Sequence, residues 1–203
     1  MTASTLTVWI DPGCPWAWQT ARWVRDLRDR GTFSIEWRLF SLEVNTVGLD
    51  VPFAAAAGRY GEALTAMALA RRDGGDPALE AFYVALGAIL HDQGERVSPE
   101  VVRRAADRAG MSGLVDRAAA DPSLVDEVQR AYRDARELDV FGVPTLRFGD
   151  APPMYGPIMP VAPEGDEALE WWHHIAWLIG RDDIYELKRW PRSRGPGRPF
   201  TSS

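Results

Sequence analysis

The chemistry of this chain starts from a single sulfur. Cys14 is the one cysteine among 203 residues, and it stands in Asp11-Pro12-Gly13-Cys14-Pro15-Trp16-Ala17-Trp18, where a β-rich run, Leu6-Thr7-Val8-Trp9-Ile10, gives way to helical spacing. A thiol at a helix N-terminus faces unpaired backbone N–H groups and the positive end of the helix dipole. Both favour the thiolate and predict a pKa lowered from ~8.5 toward ~3.5–7.5. Pro15 suits the first helical position, where its missing N–H costs nothing. The position therefore predicts a reactive nucleophile, whereas a lone cysteine elsewhere reads as a small buried hydrophobe. Trp16 and Trp18 flank the sulfur and are expected to form an apolar wall for an aromatic or flat substrate.

A second feature is Gly142-Val143-Pro144-Thr145. Proline at the start of a strand points to a turn or a cis bond, and a cis Val143–Pro144 bond would turn the Val143 backbone toward a ligand. His91 closes an apolar helix face, where the negative helix C-terminus favours it. His173 and His174 lie about 100° apart on a helix and are poorly placed to share a metal. One cysteine and three dispersed histidines argue against a zinc site.

The elements that must position these residues follow from periodicity. Ala17, Ala21, Val24 and Leu27 predict a helix over 16–30, stopped by Gly31. Phe33, Ile35, Trp37 and Leu39 alternate as one face of a strand. Residues 59–139 then read as almost wholly helical, a block of four or five helices. Asp76-Pro77, Ser98-Pro99 and Asp121-Pro122 each place a capping side chain before proline. Leu79, Phe82, Leu86, Ile89 and Leu90 form one apolar face, and Leu124, Val128, Tyr132, Ala135 and Leu138 another. Strand signals return over 144–148 and 155–159. A last helix spans 166–179, with Leu169, Trp172, Ala176 and Ile179 on its face and Gly180 as its stop. Trp9, Trp23, Trp37, Trp172 and Trp177 are expected in the core. The order β-α-β, helices, β-β-α predicts an α/β fold with core residues 1–50 and 140–180, a helical insertion over 51–139 and a tail over 181–203. The tail's basic run over 188–198 holds five basic residues and no acid, and reads as a solvated segment.

Composition bounds the function. Hydrophobic residues make up 46% and charged residues 26%, which excludes a disordered or collagen-like chain. No run reaches the ~18–20 apolar residues of a membrane span, and Met1 to Leu6 lack the features of a signal peptide. A net charge of −6 argues against nucleic-acid binding. A single cysteine excludes an intramolecular disulfide and points to a reducing cytoplasm.

The Cys14-Pro15-Trp16 turn, the helical insertion and Gly142-Val143-Pro144-Thr145 together resemble the thioredoxin-fold superfamily in its DsbA-like branch. The segment Asp11 to Trp18, with Leu90-His91-Asp92-Gln93-Gly94, resembles the actinobacterial mycothiol-dependent reductases, relatives of FrnE-like proteins and of kappa-class glutathione transferases. The resemblance implies a mixed sheet, a low-molecular-weight thiol such as mycothiol as co-substrate, and His91 beside Cys14, where it would steady a thiolate or move a proton. It places Asn45, Tyr60, Met154 and Tyr155 along a groove between core and insertion, walled by Trp16 and bounded by His91 and Pro144. The group's usual motif is Cys-Pro-Trp-Cys, and here Ala17 holds the fourth position. Without a second sulfur to release a mixed disulfide, the chemistry left is that of one thiol with an external resolving thiol.

The expected function is a thiol-dependent oxidoreductase acting on a small aromatic or electrophilic molecule. Cys14, Pro15, Trp16 and His91 form its catalytic set, and Trp18, Asn45, Tyr60, Val143, Pro144 and Thr145 its binding set. A thiol-dependent cis–trans isomerase or transferase of the kappa type is one alternative, and a non-catalytic binding module another. The expected partners are small molecules, with no metal, nucleic acid or membrane.

Overall fold

Strand β1 (Thr5–Ile10) organises the molecule because it is paired along both edges. A computed structural model describes residues 5–48, 51, 53, 58–181 and 183–188. In it, β1 runs parallel to β2 (Ser34–Leu39) and antiparallel to β3 (Thr145–Phe148), and β3 pairs antiparallel with β4 (Met154–Tyr155), giving the order β2-β1-β3-β4. The sheet is mixed and the fold is α/β, with a run of helices inserted between β2 and β3.

The parallel β1–β2 pair requires a crossover, and helix α1 (Pro15–Asp29) supplies it. Ala17, Ala21, Val24 and Leu27, at helical spacing, are all wholly buried. Gly31, at φ +81°, ends the helix in the left-handed conformation that glycine adopts without strain. Helix α7 (Gly165–Ile179) packs beside α1 through Trp23, whose indole N–H donates to Ala168 O at 3.1 Å and whose ring lies 6.1 Å from Trp172. Phe148, the register partner of Leu6, meets Trp172 at 5.4 Å, so α7 covers that face of the sheet. The other face carries Thr7, Glu36, Arg38 and Arg147 around Trp9 and is mostly polar.

Between β2 and β3 the chain is helical. Helix α2 (Leu42–Val47) begins at Ser41, whose hydroxyl accepts the Val44 N–H at 3.2 Å. Helix α3 (Gly61–Gly87) breaks at Gly75, where φ is +69°, and restarts at Asp76-Pro77. The Asp76 carboxylate, expected to cap the restarted helix, instead reaches across to β2: Oδ2 accepts the Trp37 N–H at 3.2 Å, covering an edge of that strand, while Oδ1 pairs with Arg71 at 3.3 Å. Glu80, one turn on, accepts from Arg25 and from the Trp37 indole, each at 2.9 Å, and tethers α1 to α3. A π-helical turn, Ala88–Asp92, follows. Ser98 caps α4 (Pro99–Arg108) as expected, its hydroxyl accepting the Val101 N–H at 3.2 Å, a bond worth about 1 kcal/mol. Helices α5 (Leu114–Ala119) and α6 (Ser123–Glu137) complete the set, and Asp121 accepts the Ser123 N–H at 3.0 Å before α6.

Three expectations need correction. The second late strand stops at Tyr155 rather than 159, because Gly156 at φ +95° and Pro157 turn the chain away. Trp177 is 61% exposed, not core: α7 is apolar around more than one face, and only the face holding Ala168, Trp172 and Ile179 is buried. Leu138 lies beyond α6 and is exposed. The basic run over 188–198 lies, past Lys188, outside the described residues. Among the described residues no helix is long and apolar enough to cross a membrane.

Candidate active site around Cys14

Where β1 ends, Asp11 folds the chain back on itself. Its Oδ1 accepts the Gly13 N–H at 2.6 Å, its backbone oxygen accepts the Cys14 N–H at 3.1 Å, and its Oδ2 reaches across to the Leu42 N–H at 2.8 Å. The turn delivers Cys14 to the N-cap of α1 with an extended backbone, and Pro15 takes the first helical position. Sγ accepts the Ala17 N–H at 3.4 Å, and the thiol donates to Val143 O at 3.5 Å. The Val143–Pro144 bond is cis. Tyr60 lies flat on the turn: a Cβ at Gly13 would sit 2.6 Å from its Cε2, so only glycine lets the ring approach.

The electrostatics overturn the expectation of an acidic thiol. Cys14 is only 3% exposed. Burial, the largest influence, pushes its pKa up to about 11; the N–H groups of Ala17 and Trp16 pull down, and the Asp11 charge pushes up further. Helix-terminus stabilisation is present but smaller than the cost of drying a thiolate. Asp11 is itself displaced. Burial raises its pKa to about 6 against the pull of the Leu42 and Gly13 N–H groups, with the Glu43 charge adding to the rise. Beneath them the wholly buried Tyr83 hydroxyl has no hydrogen-bond partner among the described residues. Burial, then the charges of Cys14 and Asp11, holds that phenol well above its usual range.

The residues expected to form the site divide into three groups. Pro15, Tyr60, Val143 and Pro144 lie on the thiol turn or the loop facing it, and Trp16 is half-buried beside the sulfur in sequence. His91 joins the turn at Pro12: its Nε2–H donates to Pro12 O at 3.0 Å, and burial, the largest influence, lowers its pKa. Three others point elsewhere. Trp18 is 3% exposed, its indole N–H donates to Asp92 at 2.8 Å and its ring packs edge-on to Tyr83, so it is a buried strut rather than a wall. Thr145 turns inward, its hydroxyl donating to Gly142 O at 2.7 Å. Asn45 donates to Phe141 O at 3.2 Å and accepts from Tyr132 at 3.0 Å, bracing the loop before Val143.

Two clefts lie away from the thiol turn. A cleft of about 370 Å³ lies between α1 and the start of α7, and one of about 430 Å³ lies between the polar sheet face and α6. Neither is lined by Cys14, Trp16, His91 or Pro144. Sequence reasoning misses Asp11 and Tyr83 as functional candidates. Asp11 is legible as a turn former but not as a buried acid, and Tyr83, beside Phe82 on an apolar helix, carries no sequence signal beyond core.

Comparison with known proteins accords with this geometry. A protein of Mycobacterium tuberculosis (strain ATCC 25618 / H37Rv), Rv2286c, described as uncharacterized, is 34% identical over 194 residues, covering 94% of this chain and 83% of the relative. SCO1869 of Streptomyces coelicolor, described as a probable DsbA oxidoreductase, superposes with a TM-score of 0.60 at 19% identity, over 96% of this chain and all of that one. The cytosolic disulfide reductase DsbM of Pseudomonas aeruginosa, solved with GSH, gives a TM-score of 0.55 at 14% identity over 85% of this chain and 98% of its own. At those identities the two structures show a shared fold. Residues 13–189 match the family described as Rv2466c-like, mycothiol-dependent nitroreductase Rv2466c. The chain belongs to that Rv2466c-like, mycothiol-dependent family.

Proposed function

We propose that this chain is an oxidoreductase that works through one thiol, Cys14, with a low-molecular-weight thiol, mycothiol, as co-substrate. The observation that carries the reading is the placement of the Cys14 sulfur, capping α1 through the Ala17 N–H at 3.4 Å and facing the Val143 carbonyl at 3.5 Å. On this reading Ala17 takes the place of the second sulfur that the resemblance to dithiol relatives implies, and an outside thiol completes the cycle.

In the proposed exchange the Cys14 thiolate attacks one sulfur of a disulfide. A Cys14 mixed disulfide forms, the old S–S bond breaks, and the other half leaves as thiolate. Mycothiol thiolate then attacks the substrate sulfur of that adduct and expels Cys14. A sulfur with a pKa of about 11 gives this cycle a definite character. Its thiolate fraction at pH 7 is about one in ten thousand, each thiolate is strongly nucleophilic, and Cys14 is a poor leaving group. The mixed disulfide is therefore slow to form and slow to clear.

The test is intact-mass spectrometry after incubation with oxidised mycothiol at pH 8. One mycothiol adduct on Cys14, removed by excess reduced mycothiol, is the expected result. No adduct under any oxidising condition would assign the chain to non-catalytic binding.

A further inference from the structure

Two rings stand beside the loop that receives the thiol: Tyr155, expected along the groove, and Phe141, for which the sequence raised no expectation. Phe141 is 59% exposed and Tyr155 is 44% exposed, with centroids 5.1 Å apart and planes tilted by 32°. Both are held from behind. Phe141 O accepts from Asn45 at 3.2 Å, and Asn45 is fixed in turn by the Tyr132 hydroxyl at 3.0 Å. Tyr155 lies opposite Thr145 in the β3–β4 register, and the next residue, Gly156, donates its N–H to Pro144 O at 2.8 Å. The Tyr155 ring rests on Gly142, where a Cβ would come within 3.1 Å of its Cε2. The next residue after Gly142 is Val143, whose carbonyl accepts the Cys14 thiol at 3.5 Å. Burial and then the Cys14 charge raise the Tyr155 pKa, which puts its half-buried phenol within electrostatic reach of the sulfur.

We propose that Phe141 and Tyr155 form a stacking ledge that selects flat aromatic electrophiles for Cys14, a proposal that rests on the single-thiol reading above. Two rings present far less area than the ~800 Å² per partner of a stable protein interface. At 3% exposure, Cys14 admits only a slim reacting group. The loop's Val143 and Pro144 carbonyls already accept from Cys14 and Gly156, so a peptide strand would have to share those acceptors. A single planar ring needs none of these groups and gains by offset stacking on a ring already braced in place.

The test compares N-phenylmaleimide with N-ethylmaleimide on the full chain at pH 9. In both, the Cys14 sulfur bonds to one alkene carbon and the other carbon takes a proton, so the reagents differ only in the ring. The readout is the phenyl-to-ethyl ratio of second-order rates at Cys14, divided by the same ratio for free cysteine. A normalised ratio of about three to ten is expected in the wild type. It should fall toward one in Phe141→Ala and Tyr155→Ala, persist in Tyr155→Phe, and take an intermediate value in Gly142→Ala, which keeps both rings but displaces one. Phe141 is exposed enough for its variant to fold whatever becomes of Tyr155→Ala. A wild-type ratio near one, or a ratio unchanged in both alanine variants, overturns the ledge while leaving the single-thiol reading standing. Failure of both reagents to modify Cys14 overturns both. Greater loss of labelling by a peptide-linked maleimide than by the phenyl reagent in the alanine variants would assign the ledge to a protein partner and also overturn the proposal.

Discussion

The two sides of the thiol differ in what water does to them. On the turn side, Asp11, Cys14 and Tyr83 are buried together, and desolvation is the largest influence on each. On the loop side, Phe141 and Tyr155 are 59% and 44% exposed. The turn side sets how reactive the sulfur is, and the loop side offers surface for recognition. The contrast teaches that a helix N-terminus does not by itself make an acidic thiol. Two backbone N–H groups favour the Cys14 thiolate, yet burial and a neighbouring carboxylate outweigh them.

That contrast breaks most completely if the sulfur is removed. Cys14→Ser should abolish every thiol adduct by intact mass. The fold should persist, because serine is a good N-cap and its hydroxyl can accept the Ala17 N–H. Surviving adduct formation would place the chemistry elsewhere.

A pH series reads the turn side alone. With the Cys14 pKa raised to about 11, its alkylation rate should climb about tenfold per pH unit from pH 7 to 9.5 without levelling. A plateau below pH 8 would mean that the helix terminus wins over burial.

A smaller effect is expected at Asp11. Its carboxylate is ionised above a pKa of about 6 and pushes the Cys14 pKa upward. Asp11→Asn should therefore speed alkylation at pH 8 by a few-fold, measured against Cys14 in the parent chain. Slower alkylation would show that the carboxylate's bonds to Gly13 and Leu42 matter more to the thiol than its charge does. Asp11 also links pH to stability. Its folded pKa is raised, so its contribution is fully present below the unfolded value of 3.8 and is lost as pH rises through about 6. Denaturant unfolding at pH 4.5 and pH 7 should show that raising the pH costs Asp11→Asn less stability than it costs the parent.

Much of this was legible from local sequence. The β1-α1-β2 unit announced itself through alternation in β2, helical spacing in α1 and the Asp11-Pro12-Gly13 and Gly31 punctuation. Cys14 at the N-cap with Pro15 behind it followed from the same signals, as did Ser98 before Pro99. Properties set by remote packing were not legible. The Cys14 pKa depends on how fully the fold excludes water from the turn, with Val143 facing the sulfur and Tyr60 covering Gly13 from distant parts of the chain. Trp18 and Trp177 each sit on helices apolar on several sides, so spacing could not tell the buried indole from the exposed one. Phe141 reads as a hydrophobic residue before a glycine, and only the β4 register, which lays Tyr155 on Gly142, makes a pair of the two rings.

The most direct test of the single-thiol account is the lifetime of a small-thiol adduct on Cys14 after free thiol is removed, compared between the parent chain and Ala17→Cys. Ala17 is wholly buried, and the added sulfur should cost about 1–3 kcal/mol in packing, so thermal unfolding is recorded alongside. The account predicts that the parent keeps its adduct until an outside thiol arrives. Ala17→Cys should expel it by closing a disulfide between Cys14 and the introduced sulfur, seen as loss of the adduct mass and of two hydrogens. Equal lifetimes in the two folded chains would contradict it.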